Sequence, residues 1–162
     1  RKDGEFTHIR AGRIYFAAAP AYPDSVPSLE AGTSLIVEEI TLLPNGWRLQ
    51  RSPATTIPAQ DQLLAVLHLP SDATIQLRTP QRGDRFKPVG LHGKSQKLSD
   101  TLINLKVPQE WRSNIPLLIV NGEIAWIVAP RHGDFISRIA DPFAPPTDAE
   151  LESLICFRYT KL

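Results

Sequence analysis

The sequence predicts an α+β domain of short strands and short helices. Three observations carry this expectation. Apolar or alternating runs are repeatedly cut by Gly, Pro and Asn; after Gly90 the apolar spacing shifts to a helical period; and a second helix-start signal stands near the C-terminus. With 162 residues, 42% of them hydrophobic, the chain is long enough for one core or two small packed layers.

Residues 6–18, FTHIRAGRIYFAA, read as two strands with Ala11 and Gly12 between them. The run 34–42, SLIVEEITL, reads as one strand, and Asn45-Gly46 then supplies a tight turn into a strand opened by a core Trp47. Residues 52–60 contain two prolines and read as a connection. The segment 63–69, LLAVLHL, fits a short helix or a buried strand equally well. Residues 74–79, TIQLRT, alternate: Ile75 and Leu77 share one face, and Gln76 and Arg78 form a wet side able to meet a ligand.

Leu98, Leu102 and Leu105 predict a helix over 95–105, with Ser95 as its cap, and Pro108 opens a short turn through 109–112. A hairpin follows over 116–128, turning at Asn121-Gly122 and placing Trp126 with Ile124 and Val128 in the core. DPFAPP at 141–146 is a connector. Thr147 and Glu150 then form a capping box for a short helix with Leu151, Leu154 and Ile155 on its apolar side, and CFRYTKL ends the chain as a strand or an extended tail.

Charge is distributed unevenly. Segment 82–112 holds seven Lys/Arg against three Asp/Glu, a balance of +4, whereas the whole chain is +1, so the other residues sum to −3. Attraction for a polyanion is therefore local, which suits a docking patch better than general nucleic-acid coating. Amides after Gly93, with Lys94 and Lys97, form a candidate phosphate site; a solvated loop and helix end explain the same residues.

Other chemistry is sparse. His8, His68, His92 and His132 lack ligand spacing, and the single Cys156 excludes an internal disulfide and fits a small buried group in a reducing compartment. His68 reads as a structural histidine and His92 as part of the basic loop. Gly93-Lys94-Ser95 echoes the end of a nucleotide loop, but Pro88 stands where that motif needs its first glycine. A pocket of Asp84, His92 and Asp100 offers no mechanism. No apolar run is long enough for a membrane span, and the basic start lacks a secretory apolar region, so a cytoplasmic location is expected. A start at Arg1 and the lack of methionine suggest a fragment or processed chain.

The ordered set Arg78, Gly83-Asp84-Arg85-Phe86, Pro88, Gly90, Gly93, Lys97-Leu98, Asp100, Lys106-Val107-Pro108, Arg112, Ile115-Pro116-Leu117-Leu118, Gly122, Ile124 and Trp126 resembles the C-terminal domain of bacterial tRNA(Ile)-lysidine synthases. The likeness is strongest over 61–131. It implies a small, partly open barrel-like mixed sheet with short packed helices. It also divides the chain into a strand-rich part, 1–60, and a tRNA-binding domain, 61–162.

In that family an N-terminal PP-loop domain, with a Ser-Gly-Gly-x-Asp-Ser type motif, uses ATP and Mg to adenylate the wobble cytidine of an isoleucine tRNA, and lysine then displaces AMP. No such motif stands in this sequence. The resemblance thus implies no catalytic, cofactor or metal residues here, with ATP and Mg belonging to the parent enzyme. The implied partners are tRNA(Ile), through its acceptor stem, the N-terminal catalytic domain, and a second copy in a homodimer.

Residue by residue, the resemblance makes Arg78, Arg82, Arg85 and Lys87 candidate backbone contacts beside the strand. Lys94 and Lys97 would hold phosphates at the helix start, and Trp111 and Arg112 would lie at the patch edge. Asp84 would orient Arg85 or accept backbone N–H bonds. Gln96, Gln109 and Ala129-Pro130 depart from the family pattern and lower the local positive charge. The alternative is an intramolecular or protein–protein interaction domain that leaves the basic residues solvated.

Overall fold

The computed structural model describes residues 20–54 and 63–162 with their side chains, and the backbone of two strands before them. Those two, β1 (Glu5–Arg10) and β2 (Arg13–Ala18), pair antiparallel, as expected for 6–18; Ala11 and Gly12 lie outside the described residues. Then follow β3 (Ser34–Ile36), β4 (Ile40–Leu42), β5 (Trp47–Pro53), β6 (Leu64–His68) and β7 (Ile75–Arg78). A short ribbon of β8 (Arg85–Phe86) and β9 (Gln96–Lys97) leads into α1 (Leu98–Asn104) and a 3-10 helix at Gln109–Asn114. The chain ends with β10 (Leu117–Val120), β11 (Glu123–Pro130), β12 (Phe135–Ile139) and β13 (Leu154–Lys161).

Two sheets form the body. One runs β12-β11-β10-β7-β3 and the other β4-β5-β13-β6. Every pairing among the described strands is antiparallel, a more uniform pattern than the mixed sheet expected. The α+β architecture of open sheets and short helices stands. Strands from both sides of residue 60 share both sheets: β3 pairs with β7, and β5 with β13. From Ser34 onward, the pairing therefore does not divide at residue 60.

Local signals explain the turns. Asn121 and Gly122 take φ of 48° and 82°, the left-handed pair that a two-residue hairpin between β10 and β11 requires. Asn45 and Gly46 do the same work between β4 and β5, inside a 3-10 turn at Pro44–Gly46. The next residue, Trp47, is buried as expected.

Tertiary pairing overrides several expectations. The run 34–42 is two strands in different sheets. Val37 is buried with its amide donating to the Ile75 carbonyl, Glu38 and Glu39 face solvent, and the Thr41 hydroxyl accepts the Glu38 amide as the chain crosses over. LLAVLHL resolves as a strand because β13 offers it a full ladder and both of its faces are covered. His68, read as a structural histidine, stands exposed at the end of this strand.

The helix expected from Ser95 begins only at Leu98. Gln96 and Lys97 are drawn into pairing with β8, and the Leu98 amide donates to the Asp84 carbonyl at 2.8 Å. No side chain caps this helix. The Thr147–Glu150 capping box does not form a helix: a single 3-10 turn at Leu151–Ser153 runs straight into β13. That strand pairs on both sides, with β5 and β6, and the two ladders outweigh a short capped helix. Cys156 on β13 is half-buried, and burial pushes its thiol up while Arg158 and Ser52 act in the opposite sense.

The core lies between the sheets. β10 is buried on both faces, and Trp126 of β11 stacks on Tyr159 of β13 with centroids 5.0 Å apart. The Trp126 indole also donates to the Ser137 hydroxyl at 2.8 Å.

Candidate nucleic-acid interface

The β8–β9 ribbon projects the basic segment. Its register sets Arg85 directly opposite Lys97 and Phe86 opposite Gln96. Like charges facing each other across an antiparallel pair oppose folding, so this rung gains nothing from its own charges. Both residues are exposed. The Arg85 guanidinium is nonetheless held in place: Nε donates to Ser95 Oγ at 2.8 Å and Nη2 to the Ser95 carbonyl at 3.2 Å. Ser95, expected as a helix cap, is instead an orienting acceptor for an arginine.

Asp84 anchors the ribbon to the sheet. Its carboxylate takes two hydrogen bonds from Arg78, at 2.9 and 2.8 Å, and a third from the Gln81 amide at 2.7 Å. The pair is almost enclosed, with side-chain exposures of 12% and 11%. Asp84 therefore accepts a backbone N–H as expected, but the arginine it orients is Arg78, not Arg85. A cavity of about 310 Å³ gathers Arg78, Arg85, Lys87 and Ser95 beside Asp84 and Glu123. Lys87 pairs loosely with Glu123 at 3.3 Å, in the solvent-screened range where such pairs contribute little.

The other predicted residues are placed differently. Arg82 is exposed in the turn before the ribbon and Lys94 in the loop that joins its two strands, with His92 at φ 53° in that same loop. The Lys94 amide donates to the Leu91 carbonyl, closing a turn, so the expected phosphate site loses that donor. The same turn does not fit a nucleotide loop, because the segment enters a strand before any helix. Arg112 turns two nitrogens onto the Val107 carbonyl, at 3.0 and 2.8 Å. Trp111 serves the fold: it is 5% exposed, its indole donates to the Pro20 carbonyl, and its ring meets Tyr22 and His132.

The ribbon's period of two also separates a second cavity. Phe86, Pro88 and Gln96 turn to a groove of about 870 Å³ that is closed by Asn104 and Leu105 of the helix segment and by β12. Arg131 at its end is clasped to Asp134 through two bonds of 2.8 and 2.6 Å. The hydrogen bonds from Arg131 hold the Asp134 carboxyl below its usual range. Sequence reading passed over this groove. The one available signal was the alternation Arg85-Phe86-Lys87-Pro88, with basic and apolar residues on opposite faces.

Among the described residues no group of three or more His, Cys, Asp or Glu is placed to hold a metal ion, and no helix is long and apolar enough to cross a membrane. Fold and site together define a two-sheet domain that displays a cationic ribbon. Residues 73–134 match the family described as the TilS substrate C-terminal domain.

Curated relatives agree. The chain is 35% identical over 86 residues to the tRNA(Ile)-lysidine synthase of Persephonella marina, an alignment covering 53% of this chain and 17% of that protein. It is 51% identical over 53 residues to the synthase of Clostridium acetobutylicum, covering 33% of this chain and 11% of the relative. For the synthase of Dehalococcoides mccartyi the values are 33% over 95 residues, 56% and 20%. The chain thus spans between 11% and 20% of these relatives. A crystal structure of a TilS C-terminal domain superposes with a TM-score of 0.53 at 18% identity, covering 80% of this chain and 97% of that one, which establishes a shared fold.

Proposed function

We propose that this chain is the non-catalytic C-terminal portion of a tRNA(Ile)-lysidine synthase, and that its ribbon docks the acceptor stem of the isoleucine tRNA while a separate PP-loop domain performs ATP-dependent lysine ligation. The observation that carries this reading is the exposed Arg85–Lys97 rung. Two cations held opposite each other, one of them fixed by Ser95, are costly for the fold alone and well suited to backbone phosphates. Arg82, Lys87 and Lys94 extend the positive surface, and Arg78 supports it from within its ion pair with Asp84. A-form RNA hides its bases in a deep, narrow groove, so such a surface reads stem shape and backbone more than sequence.

The test is binding of an acceptor-stem minihelix across a salt series. Each phosphate contact contributes a slope of about 0.7 to 0.9 in log affinity against log salt. The K94A/K97A variant is expected to bind about tenfold more weakly at moderate salt, with a slope shallower by about 1.5. Affinity and slope equal to those of the wild type would remove these lysines from the interface.

A further inference from the structure

We infer that the groove on the other face of the ribbon takes the unpaired 3′ end of the same RNA, a subsite for single-stranded nucleotides beside the stem contact. The inference rests on the docking reading above. The two cavities are built from alternate residues of one ribbon: Arg85, Lys87 and Ser95 line the smaller, and Phe86, Pro88 and Gln96 the larger. The two cavities lie on opposite faces of the same two-stranded ribbon, so an RNA whose stem docks on the cationic face would bring its unpaired end within reach of the groove.

The groove's chemistry fits nucleotides. Half-buried Leu105 and Phe135 offer apolar surface for a base, and the Gln96 and Asn104 amides can each donate to and accept from a base edge. Arg131 is satisfied by Asp134, which leaves Arg138 as the groove cation without an acidic partner among the described residues. A volume of about 870 Å³ lies in the upper part of the range of roughly 300–1,000 Å³ typical of small-molecule clefts. A peptide strand is a poorer occupant: Pro88 already bridges Ala140, and the Asp141 amide donates to the Lys87 carbonyl, shortening the open edge of β12.

The experiment compares two minihelices, one ending in a four-nucleotide 3′ overhang and one blunt, against wild type, Phe135→Ala and Asn104→Ala. Base stacking on an aromatic side chain is worth roughly a factor of ten or more in affinity. The overhang is expected to tighten wild-type binding about tenfold, and either variant to lose most of that gain while binding the blunt helix as before. Asn104 is exposed, so its variant keeps the test valid if Phe135→Ala unfolds. Equal wild-type affinity for the two RNAs, or variants that weaken both equally, would overturn the groove assignment and leave stem docking intact. Failure of wild type to bind either RNA would reject the docking reading itself.

Discussion

Replacing Asp84 by alanine is expected to weaken RNA binding, even though it removes a negative charge from a cationic surface. Electrostatics alone predicts the opposite sign, because one less carboxylate means less repulsion of phosphate. The structure gives Asp84 a different weight. It receives both Arg78 nitrogens and the Gln81 amide, and its own carbonyl receives the Leu98 amide. One residue thus ties β7, the turn before the ribbon, and the start of α1. Truncating it strands the nearly enclosed Arg78 charge, a loss of about 3 kcal/mol for pairs of this burial. Chemical denaturation and minihelix titration of Asp84→Ala, Arg78→Ala and the double variant check the argument. Non-additive stability losses together with weaker RNA binding are the expected result; tighter binding by Asp84→Ala would reduce the residue to a simple repulsive charge.

The second large effect concerns the seam between the sheets. Trp126→Ala is expected to cost about 3–5 kcal/mol, a substantial share of the stability of an ordinary domain. Trp126 is 1% exposed, stacks on Tyr159 of the opposite sheet, and donates to Ser137 on the adjoining strand. Removing it opens a cavity and leaves the Ser137 hydroxyl without that donor. Trp126→Phe retains most of the ring and should recover much of the loss. Denaturant midpoints measure both, and a loss below about 1 kcal/mol for the alanine variant would show that the two sheets do not depend on this contact.

What was legible in the sequence were features decided within a few residues. Asn45-Gly46 and Asn121-Gly122 announce their turns through the φ angles they tolerate, and Leu98 and Leu102 announce the buried side of α1. Features decided by distant partners were not legible. Nothing local in SLIVEEITL says that Ser34–Ile36 will join β7 while Ile40–Leu42 joins β5. Thr147 and Glu150 carry a sound helix-start signal, and it loses to ladders formed with residues 86 to 114 positions away. The candidate site follows the same division. The basic residues were visible as composition, whereas the Arg78–Asp84 clamp and the Ser95 hold on Arg85 depend on where the ribbon lands.

The opposed cations of the ribbon have a consequence for the free protein. Arg85 and Lys97 repel across a solvent-exposed rung, and mobile ions weaken that repulsion over a Debye length of about 10 Å at 0.1 M. Added sodium chloride should therefore raise the melting temperature of the isolated domain modestly while it loosens its grip on RNA. The Lys97→Glu exchange, which turns the rung into an attractive pair, should reverse the first dependence and abolish much of the second. On the proposed docking, bound RNA would act as a polymeric counterion, and this edge of the domain would be at its most settled with the stem in place.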